Sequence, residues 1–104
     1  MKVIRDGKVA VLYSPGYGAG WSTWARGGRA KIVLYHPKFV EAAENGVEDI
    51  DPIAQEIFGD DDLYTGGWDN IRVAWLPVGT KFRIEEYDGS EHIECADDIE
   101  WSVA

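Results

Sequence analysis

Ala30-Lys31-Ile32-Val33-Leu34-Tyr35, closed by His36-Pro37, is the stretch on which the architecture turns. It is apolar and carries β-branched Ile32 and Val33, the composition of a strand, and it reads as the third strand of the chain. Upstream, Val3-Ile4, the turn dipeptide Asp6-Gly7 and the apolar run Val9–Tyr13 read as a hairpin, since Asp-Gly suits the positive φ that a two-residue hairpin turn demands. Downstream, Pro37 opens a helix that runs through Phe39, Val40 and Ala43 to a stop at Gly46. A second short helix takes Asp51 as N-cap and Pro52 at its first position, turns Ile53, Ile57 and Phe58 to one face, and ends at Gly59.

Beyond Asp60-Asp61-Asp62 the pattern changes to strands separated by tight turns. Ile71–Leu76 is one, Pro77–Thr80 a turn, and Lys81–Tyr87 alternates with Phe82 and Ile84 facing one way. Asp88-Gly89 turns into Glu91–Cys95, and Ile99, Trp101 and Val103 suit a last strand. The sum is an α+β fold: a mostly antiparallel sheet of about six to seven strands, with two short helices inserted after the third.

With 104 residues, 45% of them hydrophobic, the chain has material for one core and no second, so residues 1–104 form a single expected domain. One cysteine, Cys95, excludes an intrachain disulfide; with His36 and His92 it also falls short of a zinc finger. No signal peptide and no run of 18 apolar residues is visible, so no membrane association is expected and the simplest compartment is the cytoplasm. The net charge of −9 argues against direct nucleic-acid binding. Its distribution is uneven: residues 1–38 hold seven basic side chains and one acid, residues 39–104 three basic and eighteen acidic. That asymmetry suits a local anion site within an acidic shell, and equally suits oppositely charged strands lying side by side.

Ser14 to Trp24 (SPGYGAGWSTW) is the most unusual segment, with Gly16, Gly18 and Gly20 alternating ahead of two tryptophans. Glycines let backbone N–H groups converge on an anion, and phosphate is the obvious one. The segment lacks the Gly-Lys-Ser/Thr of a P-loop, and Trp21 stands where the dinucleotide fingerprint needs its last glycine. Tyr17, Trp21 and Trp24 offer surfaces for a base, and Arg26 and Arg29 offer guanidinium groups for phosphates. Ser14, Tyr17, Gly18, Gly20, Trp21, Trp24, Arg26 and Arg29 are therefore candidate ligand-binding residues, joined by Trp68 from a second glycine-aromatic stretch, Tyr64–Asp69, as an opposite wall. The same tryptophans also suit a core whose glycines merely turn the chain, and the residues alone leave both readings open.

Asp60-Asp61-Asp62 lacks the spacing of a calcium loop and reads as solvated. Glu85, Glu86, Glu91, Glu94, Asp97, Asp98 and Glu100 could make a negative face for a basic protein partner. A Cys95–His92 dyad is disfavoured because residues three apart lie on opposite faces of a strand, and Ser14 lacks the G-x-S-x-G frame of a nucleophile elbow. No catalytic residue, metal or cofactor is expected.

VLYSPGYGAGWSTW, together with DLYTGGWDNIRVAWLPVGTKFRIEEYDGSE, resembles a group of small proteins encoded by bacteriophages and prophages. The resemblance covers about half the chain. It implies a host-cell cytoplasmic setting and inhibition of a host process, above all bacterial defence, either by sequestering a nucleotide signal or by blocking the surface of a defence protein such as a CRISPR-Cas component. The leading expectation is a non-catalytic sponge, a homo-oligomer given its small size and many aromatics, that holds a small nucleotide-derived ligand such as a cyclic nucleotide or an ADP-ribose-type signal. The alternative is protein–protein inhibition through the acidic surface.

Overall fold

A computed structural model of the chain describes residues 2–16, 20–25, 28–59 and 66–96. Strands β1 (Ile4–Arg5) and β2 (Lys8–Tyr13) form the expected hairpin, with Asp6 at φ 52° and Gly7 at φ 74°. Both central residues have positive φ, as a turn that follows the natural strand twist requires. Strand β3 (Arg72–Pro77) pairs antiparallel along the whole of β2, from Lys8 opposite Pro77 to Tyr13 opposite Arg72, giving the order β1-β2-β3. Strands β4 (Phe82–Tyr87) and β5 (Ser90–Cys95) form a separate two-stranded sheet around Asp88-Gly89, at φ 51° and 84°.

Between β2 and β3 run three helices, α1 (Arg29–Tyr35), α2 (Pro37–Glu44) and α3 (Asp51–Phe58). The architecture is thus α+β with five antiparallel strands among the described residues, divided between two small sheets. It differs from the expected single sheet of six to seven strands with two helices after the third. The difference begins at Ala30–Tyr35, which is helical. Its β-branched residues favour a strand only weakly, and as a helix the segment satisfies its own backbone while placing Val33, fully buried, in the core with Ala10 and Leu12 of β2. The Val33 carbonyl lies in the last helical turn, where no intrahelical donor reaches it, and it accepts the Trp21 indole N–H at 2.7 Å. The expected last strand at Ile99–Val103 lies outside the described residues.

The other two helices follow their signals. Pro37 stands at the start of α2, and His36 caps it by accepting the Lys38 backbone N–H on Nδ1 at 3.1 Å. Helix α3 begins at Asp51, with Ile50 rather than Asp51 in the N-cap position, and Gly59 closes it in the left-handed region at φ 73°. One face of the β2–β3 ladder, Ala10 and Leu12 with Val73 and Trp75, packs into the core with the helices. At its centre Trp21 meets Phe39 edge-on at 5.3 Å and Trp68 at 5.4 Å, with Phe39 and Trp68 6.3 Å apart. Such aromatic pairs add about 0.5–1.5 kcal/mol each beyond the area they bury.

Candidate functional site

The amides of the glycine-rich segment do converge on an anion, and the anion belongs to the protein. The carboxylate of Glu91, fully buried on β5, accepts the Ser14 N–H on Oε1 at 2.9 Å. Its Oε2 accepts the Trp21 N–H at 2.9 Å, the Thr23 N–H at 3.0 Å and the Thr23 hydroxyl at 2.6 Å. The Glu91 N–H in turn donates to the Ser14 carbonyl at 2.8 Å, and the Ser90 hydroxyl donates to the Pro15 carbonyl at 2.7 Å. The β4–β5 hairpin is thereby stitched to the end of β2. A buried carboxylate is stabilised when several N–H donors replace its water, and three backbone amides and a hydroxyl do so here.

The second glycine-aromatic stretch closes the same knot from the other side. The Ser14 hydroxyl donates to the Gly67 carbonyl at 2.6 Å, and Gly67 lies so close to the Gly20 carbonyl that a Cβ there would overlap it. The described parts of the two segments meet directly, with Gly67 against the Gly20 backbone and the Ser14 hydroxyl.

This placement corrects the ligand-loop reading residue by residue. Ser14 and Trp21 are at most 1% exposed, Trp68 is 5% exposed, and Gly20 is buried, so these four belong to the interior. Trp21 is a core side chain, not a stacking surface for a base. Trp68 donates its indole N–H to the Val47 carbonyl at 2.6 Å. Trp24 is exposed and donates its indole N–H to Glu86 at 2.6 Å. Arg29 lies on α1 with its guanidinium 4.6 Å from the centre of the Phe58 ring. Tyr17, Gly18 and Arg26 lie outside the described residues. The acidic-face reading changes too, because Glu91 is interior and Arg83 pairs with both Glu85 and Glu94. That arginine holds the Glu94 carboxyl below its ordinary range, and Glu94 raises Arg83 in return. Glu91 carried a signal in the sequence: it shares the inward alternation of Ile93 and Cys95 on β5, where an acid has no solvent to face.

An open concavity rich in donors lies elsewhere, beside α1. A depression of about 400 Å³ is lined by Lys2, Lys31, Ile32, Tyr35 and His36. The Lys2 ammonium sits 4.7 Å from the Tyr35 ring centre in a cation–π contact, and Ile32 is 41% exposed. Because Nδ1 of His36 accepts the Lys38 N–H, the neutral ring carries its proton on Nε2 as a donor. Burial and the Lys38 charge hold His36 below the ordinary histidine range, and burial lifts Tyr35 above its own, so at neutral pH Tyr35 stays a phenol. Among the described residues no carboxylate lines the depression; Glu56, held by Lys38, acts on His36 only from a distance. Sequence reading passed over this group because its members come from the N-terminus and from a segment read as a strand.

His92 is exposed on β5 opposite Glu85, and Cys95 lies opposite Phe82. Among the described residues no three His, Cys, Asp or Glu side chains gather into a metal-binding group, and no helix is long and apolar enough to cross a membrane. No protein family, curated protein or solved structure matches this chain.

Proposed function

We propose that the protein is a non-catalytic binding protein that sequesters a small phosphorylated, nucleotide-derived ligand in the depression formed by Lys2, Lys31, Tyr35 and His36. The observation that carries this reading is the composition of that concavity: two ammonium groups, an imidazole N–H and a phenol around an exposed isoleucine, with no acid among the described lining residues, in a chain of net charge −9. The volume of about 400 Å³ falls in the range of small-molecule sites. The lysines and the imidazole N–H would neutralise and bind phosphate, while Ile32 and the Tyr35 ring would cover an apolar or aromatic part. Binding of this kind breaks no bond, which is the chemistry of a sponge, and it suits the anti-defence role that the resemblance to phage-encoded proteins implies.

A thermal-shift screen against cyclic dinucleotides, ADP-ribose derivatives and mononucleotides tests it. A ligand at 100 times its Kd adds about 2.7 kcal/mol of stability. One compound should stabilise the protein and should cease to do so in Lys31→Glu, a change at an exposed position of α1. No stabilisation by any compound, or equal stabilisation of Lys31→Glu, would count against the assignment.

A further inference from the structure

Helices α2 and α3 carry a second surface, of opposite charge. Residues 39–59 hold six acids (Glu41, Glu44, Glu48, Asp49, Asp51 and Glu56) and no base. Glu44 is paired with Arg5 and Glu56 with Lys38, but the carboxylates of Glu41, Glu48 and nearby Asp69 have no hydrogen bond or ion pair among the described residues. Glu48 and Asp69 rim a concavity of about 400 Å³ whose apolar lining is Ala43, Val47, Trp68 and Ile71. Val47, 37% exposed, also lines a second depression of about 260 Å³ that contains Glu41 and Ile53. The surface therefore sets an apolar floor beside the carboxylates of Glu41, Glu48 and Asp69, while Lys38, which also lines the second depression, is held by Glu56.

Arginine has the matching chemistry. Its guanidinium is weakly hydrated, forks onto carboxylates, and rides on an aliphatic stem that covers apolar surface. The hairpin acids are a poorer match, since Arg83 already pairs with Glu85 and Glu94, and Glu86 accepts from Trp24.

We propose that this groove docks an arginine-bearing segment of a protein partner, with guanidinium groups against Glu48 and Asp69 and aliphatic side chains on Val47 and Ile71. Charge complementarity and the apolar floor identify the occupant. The surface shares no lining residue with the depression beside α1, so variants can address the two separately.

The test is fluorescence anisotropy with a labelled synthetic peptide of alternating arginine and leucine, and with its citrulline counterpart, which keeps the shape and removes the charge. The arginine peptide should bind, and the citrulline peptide should bind about tenfold more weakly. Glu48→Gln/Asp69→Asn, at exposed positions, should lose about tenfold in affinity. Asp6→Asn/Asp88→Asn removes the same charge at two exposed turn positions whose positive φ asparagine tolerates, and it should bind as the wild type does. Lys31→Glu should also retain peptide binding, so that failure of the phosphate reading and failure of this one are separable. Absence of binding by the arginine peptide would overturn the proposal. So would equal weakening in the two double variants, which would reduce the attraction to net charge.

Discussion

Glu91→Ala removes the acceptor of four hydrogen bonds at once, from Ser14 N, Trp21 N, Thr23 N and the Thr23 hydroxyl. Ser14 and Trp21 are buried, whereas Thr23 is exposed and its two donors can turn to solvent. An orphaned buried donor costs about 1–3 kcal/mol. Two of them, with the loss of packing around a fully buried side chain, give an expected destabilisation of about 3–5 kcal/mol. That is a large part of the roughly 5–15 kcal/mol that stabilises a domain. Glu91→Gln should cost less. Its amide oxygen can occupy the Oε2 position and keep Trp21 and Thr23, but its NH₂ then faces the Ser14 N–H, donor against donor, at about 1–3 kcal/mol. Urea titration followed by tryptophan fluorescence measures both, with an unchanged slope as the check that the same surface unfolds. Because the nest that remains in Glu91→Ala is an anion site without its anion, added formate should restore part of the lost stability, by about 1.4 kcal/mol at ten times its Kd. A loss below about 0.5 kcal/mol in Glu91→Ala, the range of ordinary surface substitutions, would refute the reasoning.

The remaining expectations address other parts of the fold. Trp21→Ala empties the centre of the aromatic cluster and should cost about 3–5 kcal/mol in the same titration, acting on stability everywhere and not on a ligand alone. Gly67→Ala forces a Cβ onto the Gly20 backbone and should cost about 1–3 kcal/mol, while Gly28→Ala, which meets nothing within 4 Å, should be close to neutral. His36 holds its α2 cap only as a neutral ring, and its folded pKa lies below the unfolded value. Its contribution is therefore present above the unfolded pKa of about 6.5 and is lost as pH falls through the folded one. The stability difference between wild type and His36→Asn, which keeps a cap acceptor without titrating, should move against the wild type as pH drops. A pH-independent difference would separate the cap from the titration.

Much of the fold was legible where local chemistry is decisive. Asp6-Gly7 and Asp88-Gly89 force positive φ and so announced their hairpins, and Pro37, Pro52 and Gly59 marked helix ends. Ala30–Tyr35 was misread because its residues favour a strand by composition, whereas the fold needs Val33 in the core and its carbonyl under Trp21. The split into two sheets was hidden because Gly79, at φ 87°, turns the chain after β3 without pairing β3 to β4; the partner of β3 is β2, some sixty residues away in sequence. The sequence left the glycine-rich stretch open between an anion-binding loop and a turn that serves the core, and the carboxylate that its Ser14, Trp21 and Thr23 amides hold is a long-range fact. Seventy-seven residues separate Ser14 from Glu91. The depression beside α1 was invisible for a related reason: it exists only once Lys31 and Tyr35 lie on a helix next to the N-terminal segment.

The most direct test of the central claim is an amide NMR titration of the protein with whichever compound stabilises it most in the thermal-shift screen. The account predicts perturbations centred on Lys2, Lys31, Tyr35 and His36, with the resonances of Trp21 and Thr23 unmoved because their amides stay bound to Glu91. Perturbations centred on Ser14–Trp24 and Gly66–Asn70, with the α1 depression silent, would contradict it and return the glycine-rich loop to the role of ligand site.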